Sequence, residues 1–253
     1  MVEYTLDGLS IRNISEKIGI PITTVWTWRT KILYHIQSFI EDQTPLSTLI
    51  YSDETFIKIN MKGTKPHQMP RVSYHTKKLS VAARELVCLQ TVIDDTKRTL
   101  FNMSGVAKLN RQSLDAFLKP LLSANTRLIS DGEHAYTGFT LDNDIIHETV
   151  IALDVKSRNN YSLAPINNLH ASFKFFLTKY RGVSTKRLEG YINLFRLEFS
   201  LNRLLNQNEK IAYLYESLLD LDTQVTNQQI KDVVFLIDVK SIYDNLRLEG
   251  YLI

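Results

Sequence analysis

The chain has 253 residues, of which 44% are apolar, enough for one large domain or for a small domain followed by a medium one. Its single cysteine, Cys88, excludes an internal disulfide and a zinc site made of paired cysteines. No apolar run reaches the ~18 residues of a membrane span, and no secretory signal opens the sequence. We therefore expect a globular, cytoplasmic protein without a membrane partner.

The net charge of +3 conceals two basic segments that contain no Asp or Glu, residues 55–84 and 155–188. Each segment holds seven Lys or Arg, which leaves 16 basic residues against 27 acidic ones in the rest of the chain. Positive charge gathered in this way is typical of proteins that bind polyanions, because neutralising phosphates releases counterions. The alternative is a pair of solvated loops with ordinary surface lysines.

The amino-terminal residues predict two short helices joined by a turn. Ser10 can cap a helix with apolar Ile11, Ile14 and Ile18, and Gly19 can end it in a left-handed conformation. After Ile20-Pro21, a second helix is predicted to begin at Thr23 or Thr24. Helical spacing predicts that Val25, Trp28 and Ile32 face inward, and that Thr24, Thr27, Arg29 and Lys31 face outward.

This pattern is typical of a helix-turn-helix, whose second helix offers short hydrogen-bonding side chains to base edges and cations to phosphates. An ordinary helical hairpin is the alternative. The apolar spacing continues to about Ile40, and Gln43-Thr44-Pro45 then predicts a domain boundary.

Beyond this boundary, β-branched and apolar runs predict strands. They lie at Thr48 to Ile59, Glu85 to Ile93, Arg98 to Met103, Arg127 to Ser130 and Ile145 to Ile151. A helix with apolar Leu114, Phe117, Leu118 and Leu121 is expected between the third and fourth strands, and a long helix after the fifth. This order predicts an α/β domain with a mixed sheet flanked by helices.

Two carboxylates interrupt the predicted strands. Asp53 lies in the apolar first strand, and Asp131 ends the fourth in Leu-Ile-Ser-Asp-Gly. A carboxylate in such a position marks an ion pair, a metal ligand or a catalytic group. Two that converge would suit Mg²⁺, which prefers oxygen ligands and serves phosphoryl transfer. Because side chains alternate along a strand, Glu54 is predicted to face the other way and receives no metal role.

The last long helix is predicted from Asn167 to Tyr180, after Pro165. Asn167, His170 and Lys174 share one polar face at helical spacing. Leu169, Phe173, Phe176 and Leu177 form the packing stripe on another side. The alternative interpretation is that these three residues form an ordinary solvated polar face with no role in function.

Three motifs resemble bacterial insertion-sequence transposases with an RNase H-like domain of the DDE type. They are Tyr-Ser-Asp-Glu-Thr-Phe-Ile, Ser-Asp-Gly, and Ile-Asn-Asn-Leu-His-Ala-Ser-Phe-Lys followed by Arg-Gly-Val-Ser-Thr-Lys-Arg-Leu-Glu-Gly-Tyr. The closest resemblance is to the group whose active-site letters are Asp, Asp, Asn and Lys. The resemblance runs from the helix-turn-helix to about Phe199.

The resemblance implies an enzyme that cleaves and joins DNA strands with two Mg²⁺ or Mn²⁺ ions. It implies that Asp53, Asp131 and Asn167 hold the metal, that Lys174 lies near the DNA backbone, and that His170 belongs to the catalytic residues. As a neutral amide, Asn167 would hold the second ion less tightly than a carboxylate does.

It also implies an RNase H-like mixed sheet at residues 46–200, preceded by a helix-turn-helix domain with its connector at 1–45 and followed by a helical extension at 201–253. The implied partners are double-stranded DNA, as terminal inverted repeats and target, and further copies of the chain as a homodimer or larger homo-oligomer in the bacterial nucleoid. The residues expected to bind DNA are Thr24, Thr27, Arg29, Lys31, Lys62, Lys65, Arg71, Lys77, Lys78 and Lys186.

Family members usually begin with a zinc ribbon of paired cysteines, and this sequence has none. A catalytically inactive, shortened transposase that only binds DNA or other protomers is therefore an alternative function. A transcription regulator that senses a small ligand is another, and it would not need Asp53 and Asp131 to meet.

Overall fold

A computed structural model describes residues 1–40, 44–62, 86–106, 108–109, 111–123, 125–150, 161–219, 225–234 and 236–237. The chain divides into two compact units. The helical unit comprises Met1–Asp42 and Ala171–Val234, and the sheet unit comprises Gln43–His170 with Phe235–Ile253. This division differs from the predicted domain limits, because residues 171–200 group with the amino-terminal helices.

Five strands form the sheet unit's one described sheet. They are β1 (Leu49–Lys58), β2 (Leu86–Asp94), β3 (Thr99–Val106), β4 (Arg127–Ser130) and β5 (Ile146–Thr149). All five lie where β-branched and apolar runs predict strands. The confirmed prediction is a mixed α/β fold with a mixed sheet flanked by helices, which is compatible with an RNase H-like domain.

The sheet joins a long antiparallel part to a short parallel part. Its strand order is β3-β2-β1-β4-β5, with β2 antiparallel to both of its neighbours, β1 and β3. β4 runs parallel to β1 and to β5, but it pairs with β1 only from Leu49 to Tyr51. Beyond Tyr51, β1 therefore has no partner strand on its β4 side among the described residues.

Two helices cover one face of this sheet, α4 (Arg111–Leu118) and α5 (His134–Asp142). The core between these helices and the sheet includes the buried residues Ile50, Leu114, Leu128, Tyr136 and Phe139. The sequence patterns predicted α4 correctly. They predicted no helix between β4 and β5, and this prediction is wrong because α5 lies there. Glycine, threonine and aromatic residues make α5 a weak helix former, and burial of its Tyr136 and Phe139 stabilises it instead.

The helical unit contains six whole helices among its described residues. They are α1 (Val2–Leu6), α2 (Ile11–Ile18), α3 (Ile22–Ile36), α7 (Leu188–Leu201), α8 (Gln207–Leu219) and α9 (Asn227–Asp232). The predicted ends of α2 are confirmed: Ser10 accepts a hydrogen bond from the Asn13 amide, and Gly19 has φ +67°. Helix α6 (Ala164–Lys179) contributes residues to both units, and no described helix is long and apolar enough to cross a membrane.

The predicted orientation of α3 is partly wrong. Val25 and Ile32 are buried as expected, but Trp28 is 55% exposed and Arg29 only 2%. Positions 28 and 29 are both compatible with the spacing of the buried stripe. Arg29 takes the inner one because its guanidinium donates to the Leu9 carbonyl oxygen and lies over the Tyr180 ring.

Candidate metal centre

Strand pairing brings Asp53 and Asp131 together. Tyr51 pairs with Ile129 across the parallel strands β1 and β4, and each aspartate lies two residues further along the chain, Asp53 within β1 and Asp131 directly after the end of β4. This register brings the two aspartates to neighbouring positions at the end of β4. One carboxylate oxygen from each, together with one from Glu54, lie within 4.8 Å of one another. We call these three residues the carboxylate cluster.

The structure corrects the sequence-based assignment that gave Glu54 no metal role. Glu54 does face the other side of the sheet, where the Tyr136 hydroxyl donates a hydrogen bond to its carboxyl group. Its carboxylate nevertheless reaches Asp53 and Asp131, because β4 ends at Ser130 and is not paired with β1 at this level. Alternation along β1 was predicted correctly, but the conclusion that it excludes Glu54 from the site was wrong.

Burial and neighbouring charge make Glu54 costly to ionise. The pKa of Glu54 is raised to about 7, first by burial and then by the negative charges of Asp53, Asp131 and Glu133. Its Oε1 is buried and has no hydrogen-bond partner among the described residues. A bound cation would supply the missing partner and neutralise the repulsion.

The ligand atoms fit a hard divalent ion. All three side chains offer oxygen, the donor that Mg²⁺ and Mn²⁺ prefer, and none offers sulfur. The backbone supports the site as well, since the Glu54 amide donates to Asp53 Oδ1 at 2.8 Å and the Glu133 amide donates to Asp131 Oδ1 at 3.0 Å. The carboxylate cluster could therefore hold a metal ion.

His170 lies behind Asp53. It was predicted on an outward polar face, but it is only 8% exposed, because its ring packs against β1 and β2. The Thr91 hydroxyl donates to the Asp53 carbonyl oxygen, so it accepts from His170 Nε2 at 2.5 Å. His170 Nδ1 then faces Asp53 Oδ2 at 3.9 Å. These two atoms form an ion pair only when the imidazole carries both protons.

The other two residues predicted for the catalytic site, Asn167 and Lys174, are exposed on α6. Asn167 lies one turn before His170, and Lys174 one turn after it. The assignment of Asn167 to the metal and of Lys174 to the DNA backbone stays a prediction. The predicted packing stripe of α6 is confirmed, with Leu169, Phe173 and Phe176 buried.

The structure places the residues predicted to bind DNA in different environments. The prediction for Arg29 is wrong, because its burial in the helical unit removes it from any ligand. Thr24, Thr27 and Lys31 are partly exposed on α3, and Lys62 is exposed after β1. Lys186 Nζ lies 3.4 Å from the Lys231 carbonyl oxygen. Lys65, Arg71, Lys77 and Lys78 lie outside the described residues.

Sequence reasoning missed Tyr136, whose hydroxyl donates to Glu54, and Gln90, which is paired with Glu54 across β1 and β2. Tyr136 lies in the helix that was not predicted, and Gln90 lies in the strand β2 as a buried amide. A polar residue inside the apolar run Leu-Val-Cys-Leu-Gln-Thr-Val-Ile was the available signal.

No protein-family model matches the chain, and no curated protein sequence matches it.

Proposed function

We propose that this protein is a metal-dependent DNA transposase with an RNase H-like catalytic domain, which cleaves and transfers strands at the ends of an insertion sequence. The observation that carries the proposal is the convergence of Asp53 and Asp131 at neighbouring strands of the mixed sheet. A regulator that senses a small ligand would give these carboxylates no reason to meet, so their convergence counts against that alternative.

The carboxylate cluster would hold divalent ions, which would supply activation of an attacking water or 3′-hydroxyl and stabilisation of the leaving oxygen of the phosphodiester. In our proposal Asp53, Asp131 and Glu54 supply the ligands, and Asn167 supplies a further oxygen. His170, which contacts the Thr91 hydroxyl through Nε2, would pair with the Asp53 carboxylate when its ring is protonated. Lys174, Lys31 and the cations of the two basic segments contact phosphates.

The test is nicking of duplex DNA that carries the two sequences flanking the gene, with Mn²⁺, with Mg²⁺ and with EDTA. We expect a metal-dependent product from the wild type, and a rate at least ~100-fold lower from Asp53→Asn and Asp131→Asn, because loss of a residue that only hydrogen-bonds to a metal ligand already costs about 10–100-fold. Asp144→Asn is the matched control, since Asp144 is exposed and its φ of 53° suits asparagine.

Wild-type nicking by Asp53→Asn and Asp131→Asn would refute the assignment. Salt-dependent binding of the same duplex without any metal-dependent product would instead favour the protein that only binds DNA.

A further inference from the structure

A row of polar side chains crosses three strands on one face of the sheet. Glu54 on β1 is paired directly with Gln90 on β2, and Gln90 with Asn102 on β3. Directly paired residues project to the same face with neighbouring Cβ atoms, so the row runs from the carboxylate cluster into the interior of the sheet unit.

The middle residue of this row, Gln90, is completely buried. Its Oε1 accepts a long hydrogen bond of 3.5 Å from Asn102 Nδ2, which also donates to Ser113 Oγ on α4 at 2.8 Å. Because Oε1 takes its partner from β3, the Nε2 of the same amide is the atom that remains for a partner elsewhere. That Nε2 is buried and has no hydrogen-bond partner among the described residues.

The residue on β1 that faces this amide is Glu54, whose buried Oε1 also has no described partner. A buried amide donor and a buried carboxylate acceptor thus lie on directly paired residues. Burying both without a bond is unfavourable, and a bond between them would satisfy both. Gln90 is therefore placed to satisfy the one oxygen of Glu54 that the Tyr136 side of the site leaves unpaired.

We propose that Gln90 is a positioning residue of the metal centre, which donates from Nε2 to the Glu54 carboxylate and holds it in the carboxylate cluster. This inference rests on the proposed function, because it assumes that the cluster binds a divalent ion. Asn102 and Ser113 in turn orient the Gln90 amide. Residues that support a metal ligand in this way typically change metal affinity by 10–100-fold when they are replaced.

The experiment measures Mn²⁺ binding to the full chain by isothermal titration calorimetry. We expect Gln90→Leu to weaken Mn²⁺ binding by at least ~10-fold, and to have no further effect when Glu54→Met is already present. Thr55→Val is the matched control. Thr55 neighbours Glu54 on β1, faces the other side of the sheet and has a buried hydroxyl without a described partner, so its loss should leave Mn²⁺ affinity unchanged.

Equal Mn²⁺ affinity in Gln90→Leu and the wild type would overturn the inference and leave the proposed function standing. An equal loss with and without Glu54→Met would also overturn it, because the effect would then come from packing alone. Circular dichroism checks the fold of each variant. Gln90→Met, which keeps the length of the side chain, replaces Gln90→Leu if the latter does not fold.

A second measurement separates the two proposals. Urea unfolding in EDTA tests the Gln90–Glu54 contact without metal. It compares the wild type, Gln90→Leu, Glu54→Met and the double variant. We expect Gln90→Leu to change the unfolding constant at least ~5-fold more in the wild type than in Glu54→Met. A wild type that binds no Mn²⁺ but shows this coupling would refute the metal centre and retain the contact. Strictly additive unfolding would refute the contact.

Discussion

A buried arginine of the helical unit and the carboxylate cluster of the sheet unit differ in where their partners come from. In the helical unit the fold supplies most of the partners of the buried Arg29: the Leu9 carbonyl oxygen, the Tyr180 ring and a hydrogen bond with Tyr191, with its Nε alone left without one among the described residues. In the sheet unit carboxylates of the same sign lie together, and each raises the cost of ionising Glu54. A buried charge whose partners come from the fold stabilises the fold. Buried charges that repel one another are suited to a ligand from outside.

The largest effect that would break this comparison is expected at Arg29. Arg29→Ala should lower the free energy of unfolding by about 2–4 kcal/mol, because it leaves buried acceptors unpaired and a cavity in place of the side chain. Urea unfolding measures it, and the loss should be the same with Mn²⁺ and with EDTA. Arg12→Ala is the control, since Arg12 is exposed on α2. Equal stability of the two variants would show that Arg29 is not structural.

A second, smaller effect concerns pH and compares one glutamate in each unit. Burial raises the pKa of Glu54 to about 7, and it does the same for Glu198, whose neighbours Lys179 and Lys210 offset it only in part. At pH values between the unfolded pKa near 4.5 and the folded pKa near 7, the unfolded state has lost a proton that the folded state keeps. In EDTA each residue should therefore reduce stability as the pH rises through this range, by about 1–3 kcal/mol.

Glu54→Gln and Glu198→Gln should each remove one of these contributions from the pH profile of unfolding in EDTA. Saturating Mn²⁺ should abolish the Glu54 contribution, because the ion holds the carboxylate ionised, and should leave that of Glu198 unchanged. The same response of both residues to Mn²⁺ would contradict the distinction between the units.

The smallest effect is expected at the surface of α3. Lys31→Ala should weaken duplex binding about 3–10-fold at low salt and reduce the slope of log affinity against log salt by about 0.9, because one phosphate contact is lost. Fluorescence anisotropy with labelled DNA measures both quantities. Lys108→Ala, an exposed cation of the sheet unit, is the matched control. An unchanged slope in Lys31→Ala would remove Lys31 from the DNA-binding surface.

Sequence patterns predicted the sheet well because burial and strand alternation are local properties. Runs of β-branched residues predicted all five strands, and the interruption of two of them by Asp53 and Asp131 indicated the site. The ends of α2 were predictable for the same reason, since a cap at Ser10 and a left-handed residue at Gly19 depend on neighbouring residues alone.

The errors came from contacts between distant segments. Whether Trp28 or Arg29 turns inward depends on Leu9 and Tyr180, which helical spacing does not reveal. His170 is polar, and its burial depends on Thr91. The assignment of Glu54 failed because alternation along β1 does not tell where β4 ends.

The end of β4 at Ser130 has a consequence for how the sheet unit unfolds locally. The β1–β2 ladder pairs nine residues of each strand, whereas the β1–β4 ladder pairs three. Partial unfolding that gives hydrogen exchange begins where fewest contacts are lost, so β4 and β5 should separate from β1 more readily than β2 does. Such an opening would carry Asp131 away from Asp53 and Glu54. An ion bound to all three carboxylates would therefore protect the amides of β4 and β5 from exchange, although it contacts neither strand's interior.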